Sequence, residues 1–212
     1  LENTLELSSG EEVEIQFVLG VTKDMKEIKD VREKFFSPNG VNKEFDCTIA
    51  KLASDIENVT IDTPDRQMNY LFNGFLKHQT SMGSRWARVR HNGFRDTNCD
   101  CECLGIVNPQ LAWKRAKRII SYQYSNGFAP RTFLDGKVHD RNYADNTVWI
   151  TFNIYHLLKE IGDLNILDEV VPFNDGSEAS VYEHVKRSVN YLWNYRGDLG
   201  LVKIWGGDWN DC

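Results

Sequence analysis

Apolar residues recur at helical spacing along most of this chain, in blocks separated by polar, aromatic-rich connections. Thr63-Pro64 reads as an N-cap followed by a first helical residue. Met68, Leu71, Phe72, Phe75 and Leu76 then fall on one helix face. Asn108-Pro109 repeats that start, with Leu111, Ala112, Ala116, Ile119 and Ile120 as the stripe. Residues 147–161 are apolar on most sides, which predicts a deeply buried helix closed by Gly162. Residues 178–195 carry Val181, Val185, Val189 and Leu192, with Gly197 as a stop. A one-sided helix has to cover its stripe with another element. Such a succession therefore builds helix hairpins, with the chemistry-bearing residues gathered at the connections.

The segment before residue 63 reads differently. In residues 11–21 Val13, Ile15, Phe17 and Leu19 alternate with Glu12, Glu14 and Gln16, the pattern of a half-buried strand. Nothing earlier in the chain supplies a partner, so its sheet is expected to lie elsewhere. Residues 23–36 and 43–57 read as two helices, separated by a turn at Ser37-Pro38-Asn39-Gly40. No repeat of 20–50 residues is present.

Composition removes several function classes. The 212 residues carry 25 Lys+Arg against 31 Asp+Glu, a net charge of -6. That balance argues against a nucleic-acid binder, which needs clustered cations along a phosphate backbone. No run of about 18 apolar residues is present to span a bilayer, and no signal-peptide core opens the chain. It begins on Leu1 rather than Met, so a preceding segment is expected. Three of five cysteines crowd into Cys99-Asp100-Cys101-Glu102-Cys103. Without a second knuckle this is a poor tetrahedral zinc site, and reduced thiols beside a buried helix are the simpler expectation; no metal is expected.

Four constellations have the residue types that chemistry needs. Trp205-Gly206-Gly207-Asp208-Trp209-Asn210-Asp211 sets carboxylates, an amide and indoles on a glycine-permitted tight backbone. Indole faces pack on sugar C–H faces, carboxylates read hydroxyls, and a desolvated carboxylic acid serves as a proton donor to a glycosidic oxygen. An Asx-rich turn is the plainer alternative. Gly93-Phe94-Arg95-Asp96-Thr97-Asn98-Cys99-Asp100 places Asp96 and Asp100 on one helix face beside Arg95, either to grip ring hydroxyls or as a structural ion pair and cap. Ser84-Arg85-Trp86-Ala87-Arg88-Val89-Arg90-His91 makes a local positive field, either an anion site or a solvated basic turn. Tyr143-Ala144-Asp145-Asn146-Thr147-Val148-Trp149 leads into the buried helix, with Asp145 or Asn146 as its expected cap.

In this order the blocks resemble glycoside hydrolase family 94, the inverting cellobiose and chitobiose phosphorylases. Arg95-Asp96-Thr97-Asn98-Cys99-Asp100 is similar to that family's Arg-Asp-Thr/Ser-x-Gln-Asp, with Cys99 in place of Gln. Tyr143-Ala144-Asp145-Asn146-x-x-Trp149 is similar to its Ser-Asp-Asp-x-x-Trp, with Asn146 in place of the second Asp. Gly207-Asp208-Trp209-Asn210-Asp211 matches Gly-Asp-Trp-Asn-Asp, followed by Cys212 where Gly is usual.

The resemblance implies a mostly α chain. Residues 1–21 would hold the last strand of a β-sandwich, 22–60 a helical linker, and 61–212 the first part of an (α/α)6 toroid barrel. It implies reversible phosphorolysis of a β-linked gluco-configured di- or oligosaccharide to an α-sugar 1-phosphate. Inorganic phosphate is the co-substrate and no cofactor is needed. Asp211 is the implied general acid. Arg90 or Arg95, Asp96, Asp100, Asp208 and Trp209 are implied for the sugar, with Asp208 orienting its loop, and Arg85 and Arg88 for phosphate. A cytoplasmic protein without nucleic-acid or membrane partners follows, and the family allows a homodimer. An inverting hydrolase on the same barrel and a non-catalytic carbohydrate-binding fragment are the alternatives.

Overall fold

A computed structural model describes residues 4–86, 92–134, 136–139 and 143–207, excepting the side chains of residues 55, 56, 85 and 86. The chain divides into two compact units, Leu1–Ser54 and Asp55–Cys212.

In the first unit, α1 (Met25–Phe35) starts at Asp24, whose carboxylate accepts from Lys26 N–H at 2.9 Å. The expected turn follows, with Asn39 in the left-handed region at φ 60°. It leads into α2 (Gly40–Glu57), three residues earlier than the apolar stripe suggests. The strand expected at 11–21 is not formed among the described residues, which assign those positions no ladder. Both faces of the segment are exposed, Leu19 and Val21 entirely. Alternation prepares a face, but extended backbone becomes a strand only when a neighbour takes its N–H and C=O groups.

The second unit opens with a helical rod: α3 (Arg66–Tyr70), a π-helical stretch (Leu71–Leu76) and α4 (Lys77–Trp86). Its cap is Asp65 rather than Thr63, because the Asp65 carboxylate accepts from Gln67 and Met68 N–H at 2.8 and 3.2 Å. Thr63 instead bonds Asn69 Oδ1 at 2.8 Å through its hydroxyl. The rod's apolar residues Met68, Leu71, Phe75 and Leu76 are exposed.

Helix α5 (Phe94–Val107) is followed directly by α6 (Pro109–Ile120), where Asn108 caps as its sequence predicts and accepts from Leu111 N–H at 3.0 Å. Helix α7 (Asn146–Ile161) ends at Gly162, left-handed at φ 71°. A three-stranded antiparallel sheet joins β1 (Asn92–Gly93), just before α5, to β2 (Thr132–Leu134) and β3 (Lys137–His139), which lie between α6 and α7 in sequence. A short 3-10 helix (Leu164–Asp168) and a hairpin of β4 (Val170–Pro172) and β5 (Glu178–Ser180) precede α8 (Val181–Asn194). The last predicted helix therefore starts three residues late: 178–180 pair as a strand, and Ser180 Oγ accepts from Glu183 N–H at 3.3 Å.

The core of this unit packs Phe94 and Leu104 of α5, Ala112, Ala116 and Ile120 of α6, Ile150, Ile154 and Leu157 of α7, and Val181 of α8. Within it, Asn153 Nδ2 donates to Asn98 Oδ1 at 2.8 Å, and both residues are fully buried. His184 is also fully buried. Its Nδ1 lies 2.7 Å from Gln123 Oε1 and its Nε2 3.0 Å from Val171 O, with Phe173 stacked at 3.8 Å. Among the described residues no helix is long and apolar enough to cross a membrane.

Two measurements check this packing. Leu157→Ala is expected to cost about 2–5 kcal/mol in urea unfolding, through lost burial and a residual cavity. Burial, followed by the neighbouring Arg187, holds the His184 imidazole below its ordinary value of 6.5. The group's contribution is complete above that ordinary value. It declines as the pH falls through the lowered folded-state value, because the unfolded chain takes up a proton that the folded ring refuses. The Tm should fall on acidification from pH 7, and less steeply in His184→Gln.

Candidate active site

The N-termini of α5 and α7 lie side by side, and local chemistry sets each one. At α5, β1 pairs with β2 through Asn92↔Phe133 and Gly93↔Thr132, and Phe94 N–H donates to Arg131 O at 2.9 Å. The sheet thus delivers Gly93 as the N-cap and presents Arg95 and Asp96 in the first turn. A Cβ at Gly93 would collide with the Asp96 carboxylate, so the glycine is what admits Asp96 against the helix start. At α7, Asn146 Nδ2 donates to Pro130 O at 3.2 Å, and Thr147 Oγ1 accepts from Ala129 N–H at 3.2 Å. Both residues are buried, so this turn is pinned to the segment before β2.

Arg95 Nη1 reaches Asp145 Oδ2 across the gap at 2.8 Å, and the two side chains are 28% and 19% exposed. Trp149 Nε1 lies 3.4 Å from the same oxygen. Of the two expected caps, Asp145 stands at the N-cap position of α7 but makes no side-chain capping bond; its carboxylate is turned to the arginine. Oδ1 of Asp145 is buried and has no partner among the described residues. Arg95, Asp96, Asp145, Val148, Trp149 and Phe152 line an open hollow of about 520 Å³. Trp149 and Phe152 form its aromatic wall, with ring centroids 5.7 Å apart. The positive ends of two helix dipoles meet here, which favours the two carboxylates and any anion that enters.

The C-terminal segment is brought to the same place. Trp205 bridges to Tyr143 in antiparallel fashion, and Ala144 N–H donates to Gly207 O at 3.1 Å. Gly207 has φ 141°, and a Cβ there would sit 3.0 Å from the Tyr143 ring, so only glycine fits this close approach. Arg131 covers the Tyr143 ring, its guanidinium carbon 4.5 Å from the centroid. The Trp205 ring lies against Tyr191 and Tyr195 at the end of α8.

Of the residues singled out in the sequence, Arg95 and Asp96 come together at the hollow. Asp100 lies one turn further along α5, half-buried, and does not line it. Arg85 belongs to the last turn of α4, its side chain outside the described set; Arg88, Arg90, Asp208, Trp209, Asp211 and Cys212 lie outside the described residues. Sequence reasoning placed Asp145 and Val148 in its fourth constellation but gave neither them nor Phe152 a role at the site. A signal for the first existed: Asp145 and Trp149 are four apart, hence on one helix face.

The thiols of α5 do not line the hollow. Burial, then the carboxylates of Glu102, Asp96 and Asp100, push Cys99 up to about 11. Burial pushes Cys101 up to about 12. Both remain protonated at neutral pH, whereas metal ligation and nucleophilic attack need the thiolate. Among the described residues no group of three His, Cys, Asp or Glu side chains is arranged to hold a metal ion.

The catalytic-domain model of the glycosyl hydrolase 94 superfamily matches residues 52–212, and the chain belongs to that family. Along its whole length it is 30% identical to the solabiose phosphorylase of Paenibacillus borealis and 23% identical to the N,N'-diacetylchitobiose phosphorylase of Vibrio proteolyticus. Over 97% of its length it is 26% identical to the cellobionic acid phosphorylase of Neurospora crassa. The chain covers 27%, 31% and 27% of these relatives.

Cys101, fully protonated and 1% exposed, is expected to resist iodoacetamide at pH 7.5 in the folded protein and to react fully in denaturant, as read by peptide mass spectrometry.

Proposed function

We propose that this protein is an inverting glycoside phosphorylase acting on a β-linked gluco-configured di- or oligosaccharide. One observation carries the reading: the backbone at Gly207 is tied to the Tyr143-Ala144 turn, beside the Arg95–Asp145 pair. Gly207, which precedes Asp208-Trp209-Asn210-Asp211 in the sequence, is thus bonded to the residue before Asp145, and Asp145 lines a hollow furnished with a guanidinium, carboxylates and an indole. The phosphorylase names of the relatives support the same reaction class.

In this mechanism Asp211, as the carboxylic acid, gives its proton to the glycosidic oxygen as the C1–O bond breaks. A phosphate oxygen forms the new bond to C1 from the opposite face, so configuration inverts and the products are an α-sugar 1-phosphate and a free sugar. Phosphate stands where an inverting hydrolase would need an activated water, so no second carboxylate acts as base. Trp209, Asp96, Arg95 or Arg90, and Asp100 hold the sugar in the reacting subsite, while Asp208 orients the acid loop. Arg85 and Arg88 attract phosphate, aided by the two helix dipoles. The reaction draws on phosphate as co-substrate and on no cofactor.

The same reading assigns residues 1–21 to the end of a β-sandwich, 22–60 to a linker and 61–212 to the first part of an (α/α)6 barrel. It places the protein in the cytoplasm and allows a homodimer.

Full-length protein incubated with β-linked disaccharides should release an α-sugar 1-phosphate only when phosphate is present. Sugar release without phosphate would instead identify a hydrolase. Asp211→Asn should lower kcat by about 10²–10⁴ with little change in Tm; retained turnover would remove Asp211 from the role of acid.

A further inference from the structure

The Arg95–Asp145 contact uses one oxygen of the carboxylate and one nitrogen of the guanidinium, rather than the two-pronged fork that the pair can form. Asp145 is the partner of Arg95 among the described residues, which leaves most of the guanidinium's five N–H donors uncommitted beside the hollow. The second carboxylate oxygen, Oδ1, is buried and has no partner among the described residues. A buried charged oxygen without a donor weakens a fold, and Asp145 does not offset this by capping α7. Trp149 lies against the bonded oxygen, and Asn146 and Thr147 anchor the turn from below, so the carboxylate has little room to leave. The fold therefore holds a charge here for the sake of the arginine.

We propose that Asp145 is a positioning residue: it fixes the Arg95 guanidinium at the hollow so that the remaining N–H groups meet hydroxyl oxygens of a bound sugar. The ligand class follows from the chemistry. A sugar hydroxyl accepts from a guanidinium N–H, and so matches a site that keeps such donors uncommitted. The aromatic wall of Trp149 and Phe152 offers the apolar surface that a pyranose ring covers. The role rests on the phosphorylase reading for the reaction it serves, but its coupling to Arg95 is measurable by binding alone.

The test uses the full-length protein with Asp145→Ala, Asp145→Asn, Arg95→Ala and the double alanine variant. Glucose and cellobiose binding is measured by calorimetry, KM and kcat by phosphorolysis, and Tm by thermal melting. Asp145→Ala should weaken sugar binding and raise KM by about 10-fold or more, with Tm nearly unchanged. Asp145→Asn, which keeps an oxygen for Arg95, should recover most of that loss. In the Arg95→Ala background, Asp145→Ala should add nothing further. Multiplicative effects, unchanged binding in Asp145→Ala, or a fall in Tm that Asp145→Asn does not restore would each overturn the proposal. Sugar binding coupled through this pair, in a protein without phosphorolysis, would sink the phosphorylase reading and leave this one standing. Phosphorolysis without the coupling would do the reverse.

Discussion

Everything at the hollow depends on α5 and α7 running side by side in the same direction. Three contacts along their length set this arrangement: Arg95 with Asp145 at the start, Asn98 with Asn153 in the core, and Gly105 against Leu157 near the end. A Cβ at Gly105 would lie 2.8 Å from a Leu157 methyl, so the helices approach closely only because that position is bare. The buried amide pair adds directionality that apolar packing lacks, since sliding one helix by a turn would strand both amides. Helix α6 returns the chain to the starting level, and the three-stranded sheet completes the crossing. Parallel neighbours put their first turns at one end, and the conserved geometry of a helix start does the rest. Orphan N–H groups and positive dipole ends face one hollow, together with the polar residues that precede each helix.

How much of this was legible in the sequence follows from how local each cause is. Asn108-Pro109 and Gly162 were readable because a cap depends on the residue itself and its next turn. Thr63 was displaced by Asp65 because two good capping residues lay two positions apart, and the carboxylate takes two N–H groups where the hydroxyl makes its bond to Asn69. The 178–180 strand was invisible to helical periodicity, since its cause is a partner six to ten residues earlier. The β2–β3 hairpin was missed although Asp135-Gly136 is a strong turn signal between Thr132-Phe133-Leu134 and Lys137-Val138-His139.

The candidate site shows the same division. Arg95 and Asp96 stood out because charged residues that begin a helix are conspicuous in one dimension. Asp145, like Asn146, looked like a cap, and nothing local says otherwise; its partner is fifty residues away, and only the packing of α5 on α7 brings its carboxylate to the arginine. Tyr143 is a further case. Its ring receives Gly207 on one side and is covered by Arg131, so a residue with no chemistry of its own sets where the C-terminal motif begins.

The hollow also separates two jobs on a single helix. Its charged members sit at the first turn of α7 and the facing turn of α5, whereas Val148 and Phe152 stand on the free flank of α7. Phe152 is 48% exposed and carries none of the core. A change in bulk at either position would reshape the cup without loosening the ionic clasp beneath it. On the phosphorylase reading proposed above, divergence within the family then has a cheap route: trim or enlarge two apolar side chains, and a differently decorated ring would be admitted to an unaltered ion pair.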